Sequence, residues 1–312
     1  MSQLKAQVDK LLTGVSSMYK PEGFISEMLL PEVQSAQYSG LLGKYGSNHL
    51  RIENSVKGGR GKYRRVETIV RSTASFLIQG HGLEGMVTKE DYKNVEDPFD
   101  AERDETYGLT NVLMLEKEKA LADTLTSTSI MTVNTTLSGT SQFSDYTNSS
   151  PISVISTGLA ALIDQGIPAS QVTAAMDELV LNKLRFHPEL VDALGYKFQR
   201  PGGLSGEEVA KAFGIKKLLV ASARYESAKE GQTSSLAAVW GKHIVLGAFP
   251  EKAAVMQKSV GYLVRPTGGQ PRKVYKGALF NPPGATSILV EDEYDMLISD
   301  ANAGYLIKSV IA

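Results

Sequence analysis

The chain contains no cysteine, a single tryptophan and only four histidines among its 312 residues. Without cysteine there is no disulfide, no thiol nucleophile and no thiolate metal site. The histidines are scattered, and none has the i, i+4 partner that zinc-binding helices use. The sequence therefore predicts no metal site, and stability has to come from burial and association. The four are His49, His81, His187 and His243.

Neither charge sign dominates, and no hydrophobic run is long. The 33 basic and 34 acidic residues give a net charge of -1, so no uniform positive field is available for sequence-specific DNA binding. No segment approaches the roughly 20 apolar residues of a membrane span, and the N-terminus lacks a signal peptide. We expect no membrane partner and a protein that is made and kept in the cytosol. The composition, 42% hydrophobic and 21% charged, is typical of one or two folded domains.

The motifs that anchor common enzyme chemistry are missing or incomplete. The sequence contains no Gly-x-Ser-x-Gly elbow and no phosphate-binding Gly-x-x-x-x-Gly-Lys-Ser/Thr loop. Gly80–Gly85 matches the dinucleotide-binding spacing after the strand-like run Ser75–Ile78, but no amphipathic helix follows it. We therefore predict a flexible hairpin here, no catalytic residue and no cofactor. A nucleotide-binding enzyme is the weak alternative, which alanine at Gly82 and Gly85 would test.

The first third of the chain predicts an arm followed by a long excursion. Residues 1–47 carry Leu4, Val8, Leu11 and Leu12 at helical spacing and then break at 21–23, which is typical of an arm with short helices. Residues 48–96 are polar and glycine-rich, with strand-like runs at 66–70 and 75–78. A two-stranded excursion without a core of its own is marginal, so we expect another subunit to cover it.

A basic cluster marks the predicted tip of this excursion. It could contact phosphate or an acidic neighbouring subunit, and the second interpretation is favoured because the rest of the chain is close to neutral. The predicted contact residues are Lys57, Arg60, Lys62, Arg64 and Arg65.

The longest predicted helix begins at Pro98, with Asp97 as its cap, and its apolar pattern continues to Leu125. Its first charged group is Glu102, Arg103, Asp104 and Glu105, and its second is Glu116, Lys117, Glu118 and Lys119. Such dense charge predicts a helix face that stays in solvent or contacts a neighbouring subunit. The solvated interpretation of this face is favoured.

The second half alternates short helices and strands, separated from the long helix by a Ser/Thr/Asn-rich loop at 127–149. Local signals set several boundaries: helix starts after Ser150 and Asp177, a capping box at Ser205–Glu208, and glycine stops at Gly166 and Gly214. Strands are predicted at 172–176, 218–221 and 239–249, with Trp240 in the core, and strand-like pieces continue to Ala312. The fold class is α+β.

The order of these pieces resembles the major capsid proteins of tailed bacteriophages, whose fold is shared with encapsulin shells. The phrases that carry the resemblance span nearly the whole chain: 97–106 followed by 113–121, 150–152, 184–189, 209–219, 223–226 and 239–242. The resemblance implies an N-terminal arm at 1–47 and an extended β-hairpin loop at 48–96. It further implies a peripheral domain with a spine helix at 97–145 and return strands at 251–290, and an axial domain at 146–250 and 291–312.

This resemblance implies a structural subunit that assembles through pentamers and hexamers into an icosahedral shell around the phage genome. The basic loop tip and Glu102–Glu105 of the spine helix are then expected at contacts between subunits. The chain has no room for a built-in scaffolding segment, so a separate scaffolding protein is expected, with a portal and possible decoration proteins. The packaged double-stranded DNA would be contacted non-specifically, in virions assembled in the host cytoplasm. An encapsulin-type nanocompartment is the nearest alternative, for which an apolar inner patch near the arm would be the sign.

Overall fold

The computed structural model of the chain describes most of its residues. The described ranges are 7–19, 21–45, 51–52, 55–57, 61–63, 65–66, 71–94, 100–195, 202–254, 257–268, 271–279 and 284–312. The described helices are α1 (Lys10–Met18), α2 (Ser26–Leu29), α3 (Lys89–Asn94), α4 (Ala101–Leu125), α5 (Pro151–Asp164), α6 (Glu178–Leu184), α7 (Pro188–Ala193) and α8 (Gly206–Phe213).

The described strands form two larger sheets and two ribbons. They are β1 (Gln7–Val8), β2 (Glu32–Ser35), β3 (Ser39–Tyr45), β4 (Arg71–Leu77), β5 (Gln79–Val87), β6 (Asn134–Thr136), β7 (Val172–Asp177), β8 (Lys217–Ala221), β9 (Arg224–Glu226), β10 (Leu236–Ala238), β11 (Ile244–Ala248), β12 (Gly261–Pro266), β13 (Lys273–Ala278), β14 (Thr286–Ile298) and β15 (Gly304–Lys308). This mixture confirms the predicted α+β class.

A six-stranded sheet is organised around β14. The order is β1-β13-β14-β12-β2, and β5 pairs antiparallel with β14 along nine residue pairs. Alternate residues of β14 are buried, and Ile288 and Val290 pack with Leu12 of α1 and Leu113 of α4. One face of the sheet is therefore covered by the arm helix and the long helix, as a half-buried strand pattern requires.

The arm contains a helix, but a shorter one than the apolar spacing predicts. Asp9 caps α1 by accepting hydrogen bonds from the backbone N–H groups of Leu11 and Leu12. Val8 lies in β1 beside β13, so it is not part of the helix, and Leu4 lies outside the described residues. The predicted break is observed as a turn at Glu22 and Gly23.

The excursion is built from different strands than the sequence predicts. β3 pairs antiparallel with β4, which places the paired stem at 39–45 and 71–77. The predicted strand at 66–70 is wrong at Val66, which belongs to no strand, and its other residues lie outside the described part. The predicted strand 75–78 is the end of β4, and Ile78 separates it from β5. Phe76 and Ile78 pack on Tyr262, Val264 and Leu297 of the six-stranded sheet, so the base of the ribbon does own a small core.

The predicted flexible hairpin at Gly80–Gly85 is also wrong, because these residues form the interior of β5. Nine consecutive pairs with β14 hold the glycines in a regular strand. Gly85 faces the long helix, where an added Cβ would lie 1.9 Å from Glu105 Oε1. Close approach of α4, and not a phosphate-binding turn, accounts for a glycine at that position.

The long helix begins three residues later than predicted. Asp100 is its N-cap and accepts from the backbone N–H groups of Glu102 and Arg103, while Asp97 and Pro98 lie outside the described residues. The predicted solvated face is wrong at Lys117 and Glu118, whose side chains are 2% and 0% exposed.

The second half of the chain folds around a five-stranded sheet in the order β6-β15-β11-β7-β8. Every residue of β7 and β11 is buried, because α5, α6 and α8 pack with the sheet in the largest hydrophobic core. The caps at Asp177 and Ser205, the Pro151 start and the left-handed Gly214 are all confirmed.

The predicted strand 239–249 is wrong in its first half. Gly241 has a positive φ of 60°, which turns the chain there, and β11 begins only at Ile244. Trp240 nevertheless lies in the core, as predicted, with 1% of its surface exposed. The division into arm, loop, peripheral and axial domains stays a prediction.

Candidate assembly surfaces

The described part of the predicted loop tip is exposed. Lys57, Lys62 and Arg65 are solvent-facing, and the Lys57 ammonium lies 4.6 Å from the centre of the Tyr63 ring. The ring itself is 77% exposed. Arg60 and Arg64 lie outside the described residues. A tip of cations and one aromatic ring, open to solvent in a single subunit, is suited to contact with another surface.

Glu102, predicted at a subunit contact, is occupied within its own chain. Its carboxylate accepts hydrogen bonds from the Lys276 ammonium and the Tyr92 hydroxyl, both at 2.5 Å. Partial burial lowers the pKa of Lys276, but the bond to Glu102 and its charge outweigh this and leave that pKa raised. Glu102 therefore ties the start of α4 to β13.

The other three predicted helix residues differ in their surroundings. Arg103 is exposed and lies 6.0 Å from the ring centre of Tyr107. Asp104 is exposed, whereas Glu105 is half-buried beside Gly85 of β5. Arg103 and Asp104 remain free to face another subunit, and the inter-subunit role of all four helix residues stays a prediction.

An ionic cluster that the sequence did not indicate joins the arm, the long helix and the sheet. Its cations are Lys117, Arg265 and Arg272, and its anions are Glu27, Glu32 and Asp292. The three cations are 2% to 5% exposed in their side chains, so each needs a nearby carboxylate. Three positive and three negative groups make the cluster formally neutral.

Glu27 of α2 is the bridge of this cluster. Its Oε1 lies 3.2 Å from Lys117 Nζ and 3.3 Å from Arg272 Nη1. Burial raises the pKa of Glu27, but the charges of Lys117, Arg272 and Arg265 together lower it below its ordinary value. For Lys117, burial lowers the pKa below its ordinary value, although the charge of Asp292 acts in the opposite direction.

Arg272 fixes the end of α1 through backbone acceptors. Its guanidinium donates to Ser16 O at 3.0 Å, and to Ser17 O and Tyr19 O at 3.3 Å each. These are carbonyls at the C-terminal end of α1, where a cation is favoured. The position of the arm therefore depends on a side chain more than 250 residues further along the chain.

Glu118 holds a second junction, between the long helix, α2 and the turn at Trp240. Its carboxylate accepts from the backbone N–H groups of Ile25 and Ser26, the latter at 2.7 Å. It also accepts from Trp240 Nε1 at 2.6 Å. Three donors satisfy one buried carboxylate, as a fully desolvated charge requires.

A groove lies between α1 and α4, with a volume of about 610 Å³. Leu11 and Met18 border it and are 70% and 84% exposed. Tyr19 and Tyr107 pack against each other at its end, with ring centres 4.8 Å apart. This is an open patch on the arm that exposes two large apolar side chains.

One serine–histidine pair resembles a catalytic dyad but has the wrong proton arrangement. Ser149 Oγ lies 3.0 Å from His187 Nε2 and 2.6 Å from Asp145 O. Because a carbonyl only accepts, the serine proton goes to Asp145 O and the imidazole Nε2–H donates to Ser149. His187 is then a donor to Ser149 and not its base.

Two further kinds of site are absent from the described residues. No group of three His, Asp or Glu side chains in the described ranges is placed to hold a metal ion. None of the helices in the described part of the chain is long and apolar enough to span a bilayer.

Two curated phage proteins resemble the chain along nearly its full length. The major capsid protein of Burkholderia phage BcepMu is 24% identical over 313 residues, covering 97% of this chain and 96% of that protein. The major capsid protein of Pseudomonas phage JBD67 is 23% identical over 331 residues and covers both chains completely. No protein-family model matches the chain.

Solved structures confirm the fold that the resemblance implies. A phage-related protein from Bordetella bronchiseptica superimposes with a TM-score of 0.74 at 21% identity, covering 98% of each chain. The capsid of cyanophage P-SCSP1u gives 0.61 at 11% identity, covering 99% of this chain and 92% of its own. The SrpI encapsulin from Synechococcus elongatus gives 0.51 at 11% identity, covering 98% and 96%. The chain has the fold shared by tailed-phage capsid subunits and encapsulins.

Proposed function

We propose that this chain is the major capsid protein of a tailed bacteriophage, a structural subunit that assembles through pentamers and hexamers into the icosahedral shell around the genome. The observation that carries the proposal is the end-to-end likeness to two phage major capsid proteins, matched by the fold. Such a protein acts through the interfaces between its copies and not through a catalytic centre.

The predicted loop tip and the exposed part of the long helix are the proposed contacts between copies. The tip is cationic and carries the exposed Tyr63, a residue type enriched at interfaces. Arg103 and Asp104 lie on the exposed side of α4. Because the Glu102 carboxylate already binds Lys276 of its own chain, we propose that Glu102 contributes less to the contact between copies than the sequence alone suggests.

The further partners are those of a virion. A separate scaffolding protein, a portal and possible decoration proteins would act with the shell, and packaged double-stranded DNA would be contacted non-specifically. The near-zero net charge of the chain fits a shell that confines DNA without binding it tightly. Assembly would take place in the host cytoplasm and the mature protein would reside in the virion.

The direct test is negative-stain electron microscopy of the purified 33.7 kDa chain together with light scattering. We expect hollow particles of uniform size or ring-shaped capsomers, alone or after a scaffolding partner is added. A stable monomer under all of these conditions would overturn the proposal.

An encapsulin-type shell is the second candidate, and the groove between α1 and α4 is the observation that favours it. A cargo-docking site needs an apolar patch near the arm on the inner side of the shell, and we propose the exposed Leu11 and Met18 as that patch. The two functions differ in what co-purifies with the shell. Nuclease-protected double-stranded DNA indicates a virion, whereas a stoichiometric enzyme inside the particles indicates an encapsulin.

The structure of Gly80–Gly85 does not support the nucleotide-binding alternative. It requires Gly80–Gly85 to form a turn between a strand and a helix N-terminus, so that backbone N–H groups face a pyrophosphate. These residues instead form the interior of β5, a regular strand whose alternate residues exchange backbone hydrogen bonds with β14.

A further inference from the structure

The arm helix α1 turns polar side chains inward and apolar side chains outward. Thr13 and Ser16 are buried, and Ser16 Oγ lies 2.8 Å from Thr110 Oγ1 of the long helix. Thr13 Oγ1 accepts the backbone N–H of Val274 of β13 at 3.0 Å. Leu12 is the only apolar side chain of α1 that is fully buried. A helix on the surface of a single globular subunit normally shows the reverse arrangement.

The outward side of α1 carries a regular apolar stripe. Its members have the i, i+3, i+4, i+7 spacing with which one helix packs on another, and they all line the groove between α1 and α4. We call them the arm stripe: Leu11, Gly14, Val15 and Met18. Leu11 and Met18 are 70% and 84% exposed. A stripe with packing spacing that is open to solvent in the single subunit indicates a contact made on assembly.

Gly14 in the middle of this stripe has no explanation within the subunit. Glycine destabilises a helix interior relative to alanine. The backbone at Gly14 does not have the positive φ that favours glycine, and an added Cβ would meet nothing within 4 Å. A second helix that crosses close to Gly14 would explain it, because the distance between two packed helices is set by the side chains at the crossing.

The arm stripe is complementary to itself when two copies of α1 run antiparallel. A two-fold axis midway between Gly14 and Val15 would place Leu11 of each copy opposite Met18 of the other. The same axis would place Gly14 opposite Val15. Large flexible side chains therefore meet at the two ends, and the position without a side chain meets the branched one at the centre. This is the complementarity that a two-fold contact requires, since both copies present the same surface.

The residues that flank the stripe extend this complementarity. The same axis places the exposed Lys10 of one copy opposite Tyr19 of the other, whose ring lines the end of the groove. An ammonium beside an aromatic ring and near the C-terminal end of a helix is favourable. Arg103 borders the same end, but the charges of Asp100 and Asp104 act on it, so this end is not positive overall.

We propose that the arm stripes of two copies of this chain pack antiparallel across a two-fold axis of the assembled shell. The inference rests on the proposed function, because it requires copies to assemble, and icosahedral symmetry supplies two-fold axes. One face of a nine-residue helix does not provide the roughly 1,200 Å² or more that a stable pair of free subunits buries. We therefore expect the pairing only within particles, where other interfaces hold the copies together.

The absence of cysteine allows the register to be tested by disulfide formation. Particles are assembled from a 1:1 mixture of a Leu11→Cys chain and a Met18→Cys chain, one of which carries a size tag, and are mildly oxidised. On a denaturing gel without reductant, we expect disulfide-linked heterodimers and no larger species, because a two-fold contact closes on two copies.

Each cysteine variant assembled alone is the matched control for the mixture. In the proposed register, the two copies of position 11, or of position 18, stand about 10 Å apart along the helix axis, beyond the reach of a disulfide. The mixture should therefore give at least about fivefold more dimer than either control. Equal dimer yields in all three samples, or no dimer from the mixture, would overturn the pairing.

Polar substitution tests whether the stripe contributes to assembly. Leu11→Gln with Met18→Gln should leave the thermal midpoint of the unassembled subunit unchanged, because both side chains are largely exposed there. The yield of particles should fall by about tenfold or more. Leu236→Gln is the matched control, since Leu236 of β10 is also 70% exposed but does not line the groove, and its yield should stay normal. A normal yield from the double variant would contradict the proposal.

A photoreactive group attached to the thiol of the Met18→Cys chain identifies what covers the stripe. We expect a product of twice the subunit mass after illumination of particles. A product that joins the chain to a different, co-purifying protein would assign the stripe to a cargo or scaffolding protein and overturn the pairing. Normal particles without dimers contradict the pairing alone, whereas failure of the unaltered chain to assemble contradicts the proposed function itself.

Discussion

Glu118 of the long helix accepts a hydrogen bond from Trp240 Nε1 at 2.6 Å, although 122 positions separate the two residues in sequence. The same carboxylate accepts the backbone N–H groups of Ile25 and Ser26. One side chain therefore connects the arm, the long helix and the turn that precedes β11. Geometry of this kind makes the relative placement of three segments depend on one residue.

Glu118→Ala is expected to be strongly destabilising. The change leaves three buried donors without an acceptor, which costs about 3–5 kcal/mol in the free energy of unfolding. Urea denaturation of the unassembled subunit measures it. Glu116→Ala is the matched control on the same helix, because the Glu116 side chain is 59% exposed. Equal losses for the two variants would show that Glu118 is not a structural junction.

Lys117→Met tests the ionic cluster. The variant keeps the volume but leaves Glu27 and Asp292 short of one cation in a buried setting, so we expect a loss of about 3–5 kcal/mol. Lys119→Met is the control two residues away, where a 32% exposed lysine pairs with Asp123 and the loss should stay below about 1 kcal/mol. The same urea denaturation measures the loss in free energy of unfolding for both variants. A larger loss for Lys119→Met than for Lys117→Met would contradict the stabilising role of the cluster.

Two mid-helix glycines should respond to alanine in opposite directions. Gly108 of α4 has open space around an added Cβ, so Gly108→Ala should stabilise the subunit by about 0.4–1 kcal/mol. At Gly158 of α5 the Cβ would lie 2.9 Å from both Leu246 Cδ1 and Tyr305 Cδ1. Overpacking there should cost about 1–3 kcal/mol. Thermal melting of the two variants gives the signs, and stabilisation by both would show that α5 can move away from its sheet.

Local signals made the second half of the chain predictable. A capping box such as Ser205 with Glu208 is satisfied within four residues, so the sequence alone determines where α8 begins. The same holds for Pro151 at the first position of α5 and for Gly214, whose φ of 69° ends α8. The order of such signals also carried the resemblance to a capsid fold, which the solved structures confirm.

Long-range partners made the rest unpredictable. Lys117 and Glu118 stand in a run of alternating charges that is typical of a solvated helix face, and their partners are 90 or more residues away. Gly80–Gly85 reads locally as a turn, but pairing with β14 along nine residues overrides that preference.

Stability should fall as the pH drops below about 6.5, where an unfolded histidine takes up a proton. Burial lowers the pKa of His187, against the charge of Glu189, and burial with the charge of Lys308 lowers that of His243. Since folding lowers the pKa of both histidines, the unfolded chain binds more protons in this window, and the stability present above it is lost on acidification. The geometry agrees for His243, whose Nδ1 accepts the backbone N–H of Ser309 at 3.1 Å and so cannot carry a proton. Urea midpoints between about pH 5 and 7.5 measure the slope, above the range where ordinary carboxylates titrate. His187→Gln with His243→Gln should flatten it, and an unchanged slope in that double variant would assign the pH dependence to other groups.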